Sequence, residues 1–210
     1  MELPTSLKSL FPKAITLVDA LNSTIASNRL SEMDMLLSNY QFDVNQKGEY
    51  LLTLPIHNAI GAHNPEAIKM LKKVRGFNIN QTSHIESSSP AIAAAIRQNS
   101  DVIKEVCFDP KADLTIRNKF GNNVLAALIA KGYTKEYFQI MNICPDEVFL
   151  QEGLCKMTLI DKIYKYNQLQ LLQKTVKRIN QAQNNLGIKN PLVKNFIKLH
   201  PDIGNQLIAA

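Results

Sequence analysis

Apolar residues along this chain gather in short clusters that return at a nearly constant interval, with polar turns between them. One set of clusters follows a short motif that can open a helix: Leu54-Pro55-Ile56-His57-Asn58-Ala59, Ser89-Pro90-Ala91-Ile92-Ala93-Ala94, Asn123-Val124-Leu125-Ala126-Ala127 and Met157-Thr158-Leu159-Ile160-Asp161. Pro55, Pro90, Val124 and Thr158 stand 35, 34 and 34 residues apart. A second set forms an apolar stripe one helix later: Met35-Leu36-Leu37, Ile68/Met70/Leu71, Val102/Ile103/Val106, Tyr137/Phe138/Ile140/Met141 and Leu169/Leu171/Leu172. A polar-apolar-polar exit closes three of the rows, at Asp43-Val44-Asn45, Asn78-Ile79-Asn80 and Asp113-Leu114-Thr115. The pattern predicts paired helices. Proline at a first helical turn loses no bond, because the N–H it lacks has no partner there anyway. Thr53 and Ser89 stand where they can cap, and Asn64-Pro65-Glu66 and Asn99-Ser100-Asp101 read as turn and cap within a pair. Alanines at 59, 93, 94, 95, 126 and 127 let helices approach closely, and Gly121 suits a turn that needs a permissive backbone. One such pair cannot bury its apolar face alone, whereas stacked pairs share a continuous core.

These rows resemble the ankyrin repeat, whose signature runs roughly T-P-L-H-x-A, a second amphipathic helix, then A-D-V-N. The nearest matches are Leu54–Ala59 with Phe77–Asn80, and Ala112–Thr115 followed by Asn118–Asn122. The resemblance implies an all-α fold: an ankyrin-repeat solenoid of about five helix-turn-helix repeats with short hairpin loops and a helical C-terminal cap. A TPR-like or HEAT-like array is the alternative. The repeats fall at about 15–47, 48–82, 83–116, 117–150 and 151–180, so the repeat domain spans 15–180. Residues 1–14 form a short N-terminal helical extension and 181–210 the cap. In the cap, Gln183–Asn190 reads as a loop containing Gly187. Asn190 caps a helix with Pro191 at its first position and Leu192–Ile197 on its face; Pro201 ends it, and a short helix follows around Ile203–Ile208.

The family likeness also implies where a partner binds, at the hairpin tips and the exposed ends of the first helices. Carried over by row, the tips are Tyr50, Leu51 and Thr53; Ile85, Glu86 and Ser88; Lys119, Phe120 and Asn122; and Gly153, Leu154 and Lys156. His57 falls where the family places a histidine that hydrogen-bonds neighbouring turns. Seven residues after each motif position stand Ala62, Arg97, Lys131 and Lys165. With packed helices ~8–10 Å apart, the three cations predict a ladder roughly 20 Å long. Phe120 and Tyr164 are the candidate aromatic anchors.

Charge sharpens this picture. The net charge is +6, yet residues 1–160 hold 16 basic and 16 acidic residues, while residues 161–210 hold eight basic residues against Asp161 and Asp202. The excess at the C-terminal end either solvates that surface or faces an acidic partner. Of 210 residues, 45% are hydrophobic and 20% charged, enough apolar surface for a sizeable core. No uncharged apolar run approaches the ~20 residues that span a bilayer, and no basic-then-apolar leader opens the sequence. Cys107, Cys144 and Cys155 are odd in number and form no CxxC, which predicts buried thiols in a reducing, cytoplasmic setting.

The residues point away from chemistry. His57, His63, His84 and His200 make no HExxH and no Cys/His pair at zinc spacing. Cys155 and His200 have no spacing that marks an activated thiol, and Glu147 and Glu152 flank an apolar Val148-Phe149-Leu150 that reads as a helix face. The expectation is a non-enzymatic, monomeric protein-binding module without cofactor or metal. No RGG tract, RNP-like motif or zinc finger favours nucleic acid. The divergent, Asn/Lys/Gln/Ile-rich repeats look similar to ankyrin proteins that intracellular bacteria deliver into host cells without a classical signal peptide. A housekeeping scaffold, or the non-catalytic remainder of a larger enzyme, are the alternatives.

Overall fold

The computed structural model describes residues 2–97, 99–188, 192–201 and 203, with Cys155 described by its backbone alone. Among the described residues the secondary structure is helical: twelve α-helices, three short 3-10 turns and one isolated bridge between Glu2 and Thr16. The chain divides into two compact units, Met1–Asp113 and Leu114–Ala210.

The first unit holds three helix pairs: α1 (Leu17–Ala26) with α2 (Leu30–Asn39), α3 (Pro55–Gly61) with α4 (Pro65–Lys72), and α5 (Pro90–Arg97) with α6 (Ser100–Cys107). The first helices pack in one layer, α1 on α3 on α5, and the second helices in another, α2 on α4 on α6. The start of each helix follows from its residues. Pro55, Pro65 and Pro90 occupy first positions. Thr16 and Asp19 form a reciprocal capping box, Asn64 accepts from the Ala67 N–H at 2.9 Å, and Asn99 accepts from the N–H groups of Asp101 and Val102. Ser89 caps α5 through the Ile92 N–H at 3.3 Å. Thr53 does not cap α3: Leu54 is the cap residue, and the Thr53 hydroxyl points to the Leu54 carbonyl instead.

Four of the turns that follow a first helix are built the same way. Asn28, His63, Gly132 and Asn167 all adopt left-handed backbone, and the next residue's N–H reaches back to a carbonyl five residues earlier: Arg29 to Thr24, Asn64 to Ala59, Tyr133 to Leu128 and Gln168 to Ile163, at 2.8–3.1 Å. This is the Schellman closure, which satisfies carbonyls that a helix end leaves open. It ends α1, α3, α7 and α10. Alanines at 59, 94 and 95 are buried between the layers, among fully buried Leu21, Met33, Ile56, Ile60, Ile68 and Leu71.

Ahead of α1, the expected N-terminal helix is a single 3-10 turn, Thr5–Leu7. Pro4 and Pro12 lack the N–H that a longer helix through them would need. Leu3, Leu7 and Phe11 are nevertheless buried, and the Leu3 N–H is bonded to the Ile15 carbonyl at 3.0 Å.

The second unit begins with the pair α7 (Val124–Lys131) and α8 (Thr134–Met141), and α10 (Leu159–Lys165) packs on α7 as the next first helix. Three features depart from the simple repeat. A short α9 (Asp146–Leu150) precedes the hairpin loop, so the apolar run between Glu147 and Glu152 is a helix face with Val148 and Phe149 buried. A 3-10 turn at Leu169–Leu171 runs into the 14-residue α11 (Leu172–Asn185), which continues past Gln183, so the loop before Asn190 is shorter than its sequence suggests. Helix α9 packs on α11, tied by Arg178 to Asp146, by Asn185 to Asp146 at 2.7 Å, and by the Arg178 guanidinium over the Phe149 ring at 4.6 Å. These contacts favour continuing the helix. Last, α12 (Leu192–Leu199) lies on α10 and α11 with Leu192 and Phe196 buried. The capping role expected of Asn190 and Pro191, and the helix expected around Ile203–Ile208, lie outside the described residues apart from Ile203.

Within this unit Tyr137 is fully buried, and its hydroxyl meets that of Thr175 at 2.8 Å. Thr175 already donates to the Leu171 carbonyl at 2.7 Å, so Tyr137 is the donor of the pair. Burial holds the phenol far above its ordinary pKa, and it stays protonated. Tyr137→Phe should therefore destabilise this unit by about 1 kcal/mol, leaving the Thr175 oxygen one donor short. Urea denaturation would measure it, and an unchanged midpoint would contradict the assigned bond.

Candidate functional site

Four hairpin loops share one construction. Each is closed by a single backbone bond: Gly48 N–H to Thr53 C=O, Ser83 to Ser88, Asn118 to Asn122 and Gly153 to Met157, at 2.8–3.1 Å. The residue just before the closing carbonyl residue is left-handed in every case: Leu52, Ser87, Gly121 and Lys156. Only one of the four is glycine, so the other three hold a conformation that side chains disfavour. The loops carry apolar side chains outward. Leu52 is 64% exposed, Ile85 82% and Leu154 58%, and Tyr50, Leu51 and Phe120 are also exposed. Within each unit, apolar exposure repeated in two successive loops marks a contact surface more strongly than the same residues scattered singly.

In the first unit, polar side chains of the first helices hold the loops. Asp19 takes the Tyr50 N–H on Oδ1 at 2.8 Å while its Oδ2 serves the capping box with Thr16. Asn22 donates to the Thr53 carbonyl at 3.0 Å, and Asn58 donates to the Asn22 carbonyl at 2.7 Å. Gly48 lies so close to this carboxylate that a Cβ would stand 2.3 Å from Asp19 Oδ1. Beyond the loop, a groove of about 490 Å³ runs between the second and third rows. It is lined by Thr53, His57, Ile85, Glu86, Ala93, Ile96 and Arg97 among others, so the predicted residues Thr53, Glu86 and Arg97 do come together. Tyr50 and Leu51 instead border a second groove of about 340 Å³ with Leu10, Phe11 and Arg29. Ser88 is buried within its loop, its N–H bonded to Ser83 Oγ at 3.3 Å.

His57 sits at the floor of the larger groove with Nε2 3.0 Å from the Gln81 carbonyl, so the neutral ring carries its proton on Nε2. Burial lowers its pKa below the ordinary 6.5, and the bond to Gln81 opposes that only in part.

In the second unit two loops are joined directly, the Leu154 N–H donating to the Phe120 carbonyl at 3.0 Å. Gly121 is required there, because a Cβ would stand 2.9 Å from the Gly153 Cα. Asn118 Oδ1 accepts from the Phe120 and Asn122 N–H groups, and Lys119 lies over the Phe120 ring at 5.1 Å. Lys156 is exposed at the last tip.

The cation ladder needs revision. Arg97 belongs to the first unit, Lys131 and Lys165 to the second. Arg97 and Lys131 are each the eighth residue of their helix, but α10 starts at Leu159 with Thr158 as its cap, so Lys165 is only the seventh. One residue is ~100° around a helix. Tyr166 is the true equivalent of Lys131, and the last rung is turned out of line. Tyr164 is exposed like Phe120, and it also lies against Phe196 and His200, with its ring centroid 4.3 Å from that of His200.

Lys162 escaped the sequence reading. It is the fourth residue of α10, where the other first helices carry Ala20, Asn58, Ala93 and Ala127. It is only 9% exposed, the one buried cation among the described residues. Burial lowers its pKa, Lys165 adds to the shift and Asp161 opposes it. Its signal in the sequence is a lysine in a column that is otherwise small or uncharged.

The thiols are quiet. Cys107 is buried against the Ala91 carbonyl, and burial pushes Cys144 up to about 12. A Cys155–His200 pairing lies outside the described residues, since the Cys155 side chain does. Among the described residues no cluster of three or more His, Cys, Asp or Glu is placed to hold a metal ion, and no helix is long and apolar enough to cross a membrane. No protein-family model matches the chain, and no curated protein matches its sequence.

His57 makes the first unit pH-sensitive in a defined direction. Its folded pKa lies below the unfolded value of 6.5, so its contribution is complete above that pH and is lost as the pH falls through 6.5 toward the folded pKa. Relative to His57→Gln, the wild type should lose at most about 1.4 kcal/mol per pH unit in that window. Parallel denaturation curves for the two proteins between pH 7 and 5 would rule this out.

Proposed function

We propose that this chain is an ankyrin-repeat protein that binds a partner protein through its hairpin tips and the adjoining faces of its first helices, and that it is not an enzyme. The observation that carries this reading is the common construction of the four loops, with a left-handed residue ahead of each closing carbonyl and apolar side chains presented outward. Within each unit, two loops that differ in sequence yet close over the same number of residues supply a platform on which side chains can vary, and a pre-formed platform loses little entropy on binding. The groove beside Ile85 adds a concave surface with a carboxylate and a guanidinium, Glu86 and Arg97, on an otherwise mixed lining. His57 supports the family assignment by bonding the exit turn of its own row, the contact the family likeness implies.

The compositional likeness to ankyrin proteins of intracellular bacteria supports a eukaryotic protein as the partner, with the protein acting in the host cytoplasm. Capture from eukaryotic and bacterial lysates, with quantitative mass spectrometry, tests both parts. Leu51→Asp with Ile85→Asp should reduce capture of the specific partner about tenfold or more, since a few desolvated anchors carry most interface energy. Charge reversal at Arg97, Lys131 and Lys165 should weaken it less. Both variants should keep stability within about 0.5 kcal/mol, because every altered side chain is exposed. Capture that is unchanged in both would overturn the reading.

A further inference from the structure

We propose that Lys162 and the bare surface of Gly153 form a receiving site for a carboxylate, supplied by an acidic segment of the partner protein that also carries an apolar side chain. The inference rests on the partner-binding reading above and names the chemistry that one end of the surface selects.

The site arises from a mismatch between position and residue. Along the first helices the fourth position is Ala20, Asn58, Ala93 or Ala127, and in α10 it is a lysine with its side chain folded under the last hairpin loop. The ammonium lies against Gly153: a Cβ there would stand 3.0 Å from Lys162 Nζ and 3.5 Å from Asn122 Oδ1. No hydrogen bond or ion pair joins this ammonium to a described residue. The nearest acid, Asp161, is committed elsewhere, its Oδ2 accepting from the Thr158 N–H at 2.8 Å and from the Thr158 hydroxyl at 2.7 Å. The other near charge is Lys165, which repels.

Most of the Lys162 side chain is buried, and its ammonium has no hydrogen-bond partner among the described residues, so only water satisfies it until an anion arrives. Lys156 and Lys165, both exposed, add positive potential that draws one in. The same two loops hold Leu154 and Phe120 at their tips, joined by the Leu154–Phe120 backbone bond. A carboxylate on Lys162 beside an aliphatic group on Leu154 and Phe120 uses both features, and a segment of alternating acidic and apolar residues supplies both. Because most of the Lys162 side chain is buried, its bond to a carboxylate is screened less than one to a fully exposed lysine.

The full-length protein tests this with a fluorescent peptide of glutamates and two leucines, and the same peptide with glutamine for glutamate. The glutamate peptide should bind at least about tenfold tighter. It should also protect Lys162 from trace acetylation, read by peptide mass spectrometry against exposed Lys104 on the same chain. Lys162→Met should weaken the glutamate peptide about tenfold while its thermal midpoint stays level or rises, since an unpaired charge has been removed. Gly153→Ala, which pushes the ammonium aside, should weaken it in the same direction, and Lys165→Met by no more than about twofold. Equal affinity in wild type and Lys162→Met overturns the site, as does a markedly lower midpoint in Lys162→Met, which would make the ammonium a structural group. Equal protection of Lys162 by inorganic phosphate or a short single-stranded oligonucleotide would replace the carboxylate by a phosphate. If Lys162→Met binds the peptide normally but the tip variants still abolish lysate capture, this inference fails alone. If the tip variants leave capture intact, the partner-binding reading fails.

Discussion

A hairpin loop with no sheet around it has peptide groups that nothing nearby can satisfy, and here they are satisfied by side chains one row away. Asp19 takes the Tyr50 N–H and Asn22 the Thr53 carbonyl, 31 positions on. Asn45 accepts from the Asn78 N–H at 2.7 Å and donates to the Gly76 carbonyl, and Asn80 repeats both bonds with Asp113 and Lys111. A half-buried peptide group left unpaired costs about as much as a lost hydrogen bond, so the Asp19 and Asn22 contacts fix the register of the second row on the first, and the exposed Asn45 and Asn80 bonds repeat the same spacing. The stacking of apolar helices supplies attraction, but it tolerates sliding. The amide and carboxylate bonds do not.

In the first unit that register places the two hairpin loops at equivalent points ahead of α3 and α5, and Schellman closures end α1, α3, α7 and α10. The second unit shows what happens when the exchange changes. Its first row ends in α9 rather than in a polar-apolar-polar exit, and Asp146 is taken by Arg178 and Asn185 of α11. Helix α11 is drawn out to Asn185, and α12 packs on α10 with the Phe196 and Tyr164 rings edge to face. An end row must either present a polar face or be covered, and here it is covered.

The charge distribution acquires a different meaning once burial is known. Exposed Arg97, Lys131 and Lys165 interact through water and salt and contribute little individually. Lys162 has most of its side chain buried, with Asp161 and Lys165 acting on it electrostatically. A single cation in that situation carries more selectivity than a row of solvated ones, because its unfavourable burial is relieved only by a group of opposite charge and suitable size.

The sequence by itself determined the helix pairs, their period, the caps at Asn64, Asn99 and Ser89, and the left-handed turn at Gly121, because each follows from local sterics or from a side chain bonding its own neighbours. It also brought Thr53, Glu86 and Arg97 to one groove through the period alone. Left-handed Leu52, Ser87 and Lys156 were illegible, since nothing in those residue types favours that backbone and only the closed loop imposes it. The one-residue shift that turns Lys165 out of line came from Thr158 acting as cap rather than as first helical residue. The state of Lys162 was decided by tertiary structure alone. A lysine in an amphipathic helix is solvated until the neighbouring loop is in place, and it is the absent side chain at Gly153, one loop away, that lets the ammonium fold beneath it.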